Sequence, residues 1–240
     1  MLGLVLLAAL LPFSTCMSLQ SLKSNVLQLS KQLWQASLNA PATEHERLVA
    51  MVTELENARP VAKPTEQLHL LDGLWRTVYS DLNILSLSTL PSLTYNALPD
   101  PSVPGTEPAT VKVQDVYQAF SSTKKWYNNH VEFHCNGQIA TIATLGKHEP
   151  CPENPLRINF EFYKTFVNGL DASGVKGAKE QQLLEHHESS DLRQALKLNS
   201  EQKLEKDLAA KAWVDISYID ESADLRVMRF GTRFYVLERV

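Results

Sequence analysis

The chain has 240 residues, with 23 Lys and Arg against 27 Asp and Glu, a formal net charge of −4 and a pI near 6.0. That length suffices for one generous domain or two small ones with a real core. The acidic balance, with no block of Lys and Arg, supplies no field to hold nucleic acid.

Residues 1–13 are nearly all apolar. The run is too short to span a bilayer but suits the core of a secretory signal, with small Ser14 and Cys16 beyond it. No Lys or Arg precedes it, so a membrane-contacting end and an artefact of gene prediction stand beside the cleaved export signal. No other stretch is long and apolar enough to cross a membrane.

Leu22, Val26, Leu29 and Leu33 form one helical stripe, with Lys23, Lys31 and Gln32 away from it. Thr43-Glu44-His45-Glu46 has the form of a capping box ahead of a second stripe, Leu48, Val52 and Leu55. Two helices are therefore expected, the second ended by Pro60 and Pro64.

Leu70-Leu71-Asp72-Gly73-Leu74-Trp75-Arg76-Thr77-Val78-Tyr79-Ser80 then opens a β-structure. Asp72-Gly73 signals a turn, and Trp75, Thr77 and Tyr79 alternate with Arg76, Val78 and Ser80. A Gly-x-Trp at such a start lets the backbone bend while the indole closes one end of a barrel or serves as an ordinary core aromatic. Prolines at 91, 99, 101, 104 and 108 make the stretch to Ala109 mostly loop, with a short strand around 93–95. A loop this long reads as a lid or as a variable insertion.

Strand patterns then come quickly. Val111 to Phe120 is β-rich; Val131, Phe133 and Cys135 alternate with Glu132 and His134; Asn136-Gly137 is a hairpin turn, and Gln138 to Leu145 returns. Leu156, Ile158, Phe160 and Phe162 alternate cleanly with Arg157, Asn159, Glu161 and Tyr163, as in an antiparallel, half-buried strand. Between Gly174 and Ala212 the composition shifts to Glu, Gln, Lys, Leu and Ala, which favours helix. The charge run from Glu185 to Lys211 reads as a solvated helical excursion or as a binding surface. Val214, Ile216 and Tyr218, then Leu225 to Arg229, then Phe234-Tyr235-Val236-Leu237 supply the final strands.

Catalytic groups do not assemble. The chain has no Gly-x-Ser-x-Gly elbow, P-loop, dinucleotide fingerprint or His-Glu-x-x-His helix. His134, Cys135, His148 and Cys151 carry metal-capable atoms, but adjacent strand residues face opposite ways, so a shared site needs a bulge. A disulfide between Cys135 and Cys151 is the stronger reading of that pair, given the turn between them. Cys16, Cys135 and Cys151 are too few for a disulfide framework. His186-His187 reads as solvated. No metal, cofactor or enzymatic activity is expected.

Two segments together resemble the plastid lipid-associated protein family, also called fibrillins or plastoglobulins. Leu70 to Ser80, after the proline-marked end of a helix, is similar to that family's Leu-Leu-(Asn/Asp)-Gly-x-Trp-x-Leu-x-Tyr entry strand. Trp213-Val214-Asp215-Ile216-Ser217-Tyr218-Ile219-Asp220, followed by Asp224-Leu225-Arg226-Val227-Met228-Arg229 and Phe234-Tyr235-Val236-Leu237, resembles its C-terminal signature in order and spacing. The resemblance covers roughly Leu22 to Arg239, with the middle matching in strand pattern only. Three departures stand out: Ser222-Ala223 lengthens a turn, Phe230-Gly231-Thr232 replaces a Gly-rich acidic turn, and no Ser- and Arg-rich transit peptide precedes the domain. An apolar leader instead fits a complex algal plastid reached through the secretory route.

The resemblance implies an α+β, mainly β fold: a lipocalin-like antiparallel barrel preceded by two helices, with the helical excursion before the last two strands. Residues 1–17 are then a leader, 18–64 helices packing on the barrel, and 65–240 the lipid-binding barrel. It further implies a non-enzymatic binding or structural protein for quinones, carotenoids or fatty acids at thylakoids or plastoglobules. The alternatives are an interaction module assisting a prenyl-lipid biosynthetic enzyme and, behind that, a lipid-modifying enzyme on the same scaffold. The expected inward set is Trp75, Tyr79, Val131, Phe133, Ile142, Ile158, Phe160, Phe162, Ile216, Tyr218 and Phe234, as ligand contacts or as packing. Arg226 and Arg229 either meet a polar lipid head or form a structural ion pair or a cation–π cap on Trp75, with Asp215, Asp220 and Asp224 nearby in sequence.

Overall fold

The computed structural model describes residues 18–36, 41–81, 111–135, 138–168 and 203–240, and of these the side chains outside 111–114, 133–142, 165–168 and 203–209. The apolar leader, the Pro-rich stretch, His186-His187 and the Gly174–Ala212 excursion as far as residue 202 lie outside the described residues.

Both expected helices form, α1 (Leu19–Ala36) and α2 (Ala42–Ala58), and both apolar stripes are buried. The capping box does not. Pro41 takes the N-cap position with φ −61° and no side-chain cap bond, and its carbonyl accepts from the N–H groups of Glu44 and His45. The proline ring fixes its φ and Ala42 already continues the helix, so Thr43 sits too far inside for its hydroxyl to reach the free N–H groups. No described helix is long and apolar enough to cross a membrane.

Two 3-10 turns (Pro64–Glu66 and Leu68–Leu71) lead into eight strands: β1 (Gly73–Ser80), β2 (Val111–Ser121), β3 (Trp126–Cys135), β4 (Gln138–Pro150), β5 (Arg157–Asn168), β6 (Lys203–Ile219), β7 (Leu225–Phe230) and β8 (Arg233–Arg239). Each pairs antiparallel with the next and β8 pairs with β1, so the sheet closes. Residues 203–212, expected as helix, belong to β6: Lys203 pairs with Asn168 and Ala212 with Phe160. Pairing the long edge of β5 outweighs the helical propensity of the segment.

Register fixes which side chains enter the barrel. Trp75, Thr77, Gln118, Phe120, Tyr127, Asn129, Phe160, Ile216, Arg226, Met228 and Leu237 share the inner face. The outer face of β1, β6, β7 and β8 is equally apolar, because the helices lie on it: Val78, Tyr79, Tyr218, Leu225, Val227, Phe234 and Val236 form one core with both helical stripes. Polar contacts fasten the helices. Lys23 pairs with Asp220, Lys31 Nζ lies 2.6 Å from Glu238, and His45 Nδ1 is 2.5 Å from the Tyr79 hydroxyl. Arg229 grips Glu56 through both nitrogens at 2.5 and 2.8 Å, and Arg59 Nε donates to the Ser217 carbonyl.

Candidate functional site in the barrel interior

One end of the barrel is sealed. Gly73 takes φ +111°, a conformation open to glycine, and the bend sets Trp75 across the end. The buried indole donates from Nε1 to the Leu71 carbonyl at 2.8 Å. Arg239 lies over the Trp75 ring, 4.8 Å from its centre, and its guanidinium donates to the carbonyls of Leu70, Asp72 and Ala223 at 2.8, 2.6 and 2.7 Å. Those three bonds hold the 3-10 turn and the β6–β7 turn against the barrel. Phe120, Tyr127, Ile158, Phe160, Ile216, Met228 and Leu237 fill the space above with Trp75. Their rings are in contact, 4.2 Å between the centres of Tyr127 and Phe160 and 4.0 Å between Phe120 and His148. At this depth the interior is a floor.

On the floor lies a polar layer. Arg226, 1% exposed, stands 4.4 Å above the Trp75 ring and donates from Nη2 to Gln118 Oε1 at 2.8 Å. Gln118 pairs with Asn129 across β2–β3, and Asn129 Oδ1 accepts from the Tyr127 hydroxyl at 2.7 Å. Thr77, two strands from Arg226 in the same layer, has a buried hydroxyl with no partner. Burial pushes the Arg226 pKa down to about 9; Tyr127 opposes the shift and Arg239 adds to it. The group is still a cation at neutral pH.

The structure divides the expected site residues. Trp75, Phe160, Phe162 and Arg226 come together inside. Tyr79, Tyr218 and Phe234, expected inward, lie outside beneath the helices. Bulges after Thr77 and after Ile216 insert one residue each and turn Tyr79 and Tyr218 outward, while Phe234 pairs with outward Arg229. Arg229 faces Glu56 and the Phe234 ring, so it is a helix clamp on the outer face of the barrel. Phe133 and Ile142 stand on β3 and β4, with side chains outside the described ones.

The Cys135–Cys151 disulfide does not form. Cys151 is free, donating from Sγ to Glu153, and the two cysteines sit at opposite ends of the β3–β4 hairpin. Thirteen residues of β4 separate them by about 40 Å, against the ~6 Å that a disulfide requires. The same geometry parts His134 from His148, whose Nε2 lies 2.9 Å from the Ser121 carbonyl at the sealed end. The expected inward set leaves out Gln118, Tyr127, Asn129 and Arg239, and leaves out Thr77 although alternation already puts it on the Trp75 face. Period-two counting back from Phe120 and on from Tyr127 would have placed Gln118 and Asn129 inside; for Arg239, the last strand carries no signal beyond its place at the strand end.

A closed eight-stranded meander, sealed by a Gly-x-Trp strand and an arginine on its indole, defines a lipocalin-like barrel. The chain belongs to the PAP_fibrillin family, whose profile matches residues 20–237. It is 33% identical over 117 residues to the chromoplast-specific carotenoid-associated protein of Cucumis sativus, covering 48% of this chain and 30% of that one. It is 29% identical over 126 residues to the plastid-lipid-associated protein of Citrus unshiu, covering 52% and 34%. A longer match, 24% identical over 223 residues, joins it to plastid lipid-associated protein 1 of Brassica campestris, covering 84% and 62%. The chain thus spans about a third of the length of the first two relatives. No solved structure gives a significant match.

Proposed function

We propose that the chain is a non-enzymatic binding protein for plastid lipids, acting at the thylakoid or plastoglobule surface and holding a quinone, carotenoid or fatty-acid type ligand in its barrel. The observation that carries this reading is a closed barrel sealed at one end by Trp75, with binding groups above the seal: amides, hydroxyls and a guanidinium. Relatives named for carotenoid and plastid-lipid association support the ligand class and the plastid location. An interaction module that uses the two helices as its contact face is the weaker reading. Their apolar stripes are already buried against the barrel wall.

The test is mass spectrometry of organic extracts from the protein purified from its native host. One apolar lipid per chain is the expected result. An empty extract, from folded protein that still co-purifies with a prenyl-lipid enzyme, would replace the carrier with the module.

A further inference from the structure

The two arginines over Trp75 are not equivalent. Arg239 spends its guanidinium on three backbone carbonyls, which accounts for its burial. Arg226 makes one hydrogen bond, to the neutral amide of Gln118, and its buried Nε has no partner. No carboxylate among the described residues pairs with it. Asp215, Asp220 and Asp224, its neighbours in sequence, are all elsewhere: Asp215 holds Arg157, Asp220 holds Lys23, and Asp224 flanks the β6–β7 turn. A cation taken out of water without a counter-charge is costly, and proteins retain such groups where something else supplies the charge.

We propose that Arg226 receives the carboxylate of a single-chain lipid acid, whose head rests on the polar layer and whose chain runs up the barrel interior past Val116 and Val131. This rests on the carrier reading above and names the ligand class within it. One guanidinium is available, so one negative charge is matched; a phosphate or diphosphate head would need the second arginine, which is committed to the seal. Donors converge on the same layer. Nε of Arg226 is free, the Gln118 amide can present its N–H to an anion bonded to Nη2, and the Thr77 hydroxyl is unpartnered. The depressed Arg226 pKa agrees, since a bound carboxylate would restore what burial removes.

Calorimetric titration of the delipidated full chain with palmitate, its methyl ester and cetyl alcohol tests the assignment, because the three share a chain and differ in head charge. Palmitate is expected to bind about tenfold more tightly than either neutral ligand, the scale of one charge-assisted hydrogen-bonded pair. Arg226→Met should abolish that preference, so that palmitate binds no more tightly than the ester or the alcohol. Equal affinities in the wild-type chain, or an undiminished preference in Arg226→Met, overturn the carboxylate assignment and leave the carrier reading standing. Failure of all three to bind, together with an empty native extract, overturns both. Should Arg226→Met not fold, the wild-type comparison decides alone.

Discussion

Arg226 and His130 are buried without the partners their chemistry asks for, and each leaves a measurable trace. Replacing a buried, incompletely paired ion with an apolar side chain of similar volume commonly stabilises. The lipid-free Arg226→Met variant is therefore expected to melt higher than the wild-type chain by about 2–4 °C for each kcal/mol gained. Scanning calorimetry reads this directly, and a lower melting temperature would make Arg226 a structural brace. His130, on the outer face of β3 opposite Tyr117 and Ala143, has neither ring nitrogen paired, and burial pushes its pKa from 6.5 to about 4. The unfolded chain takes up its proton near 6.5 and the folded chain near 4. Between those values the unfolded state holds more protons, so stability falls as pH drops through that window, by up to about 3 kcal/mol. Above 6.5 the term is flat. His130→Gln should flatten that limb in urea melts taken across the window, and an unchanged slope would place its origin in other groups.

Among the elements, the helix–barrel junction separates apolar from ionic contributions. Leu55 is fully buried in the core shared by α2 and the barrel wall, so Leu55→Ala should cost about 2–5 kcal/mol. Glu56, its neighbour, carries the bidentate pair with Arg229 at a site a quarter exposed on the arginine side, and Glu56→Ala should cost about 1 kcal/mol. Urea denaturation of the two variants ranks them, and a larger loss for Glu56→Ala would contradict the ranking. The two helical stripes were legible from spacing alone because one apolar face meets one wall. The strands are legible as strands, yet period-two alternation puts Tyr79 and Tyr218 on the wrong face. Helices cover the outside of β1 and β6 to β8, so both faces are apolar there, and a one-residue bulge that exchanges them leaves no mark in the hydrophobic pattern. Residues 203–212 depart from the helical expectation for a related reason: strand pairing to β5 is a long-range fact, and local composition favours helix. Within the site, Trp75 and Arg226 are visible in the sequence as a candidate stacked pair, and alternation puts Thr77 on the Trp75 face, while Gln118 and Asn129 stay hidden because ordinary polar residues on a strand read as solvent-facing.

At the scale of the molecule, the barrel has one closed end and a wall thickened by two helices, and a carried ligand has to lie inside, above the Trp75 floor. A photoactivatable fatty acid bound to the full chain, irradiated and mapped by peptide mass spectrometry, reports the lining directly. Crosslinks are predicted on the inward positions of β2 and β3, Val116 and Val131 among them, and should be competed away by unlabelled palmitate. Crosslinks confined to α1, α2 or the outer wall, with the inward positions unmarked, would contradict the central claim and place the lipid on the surface.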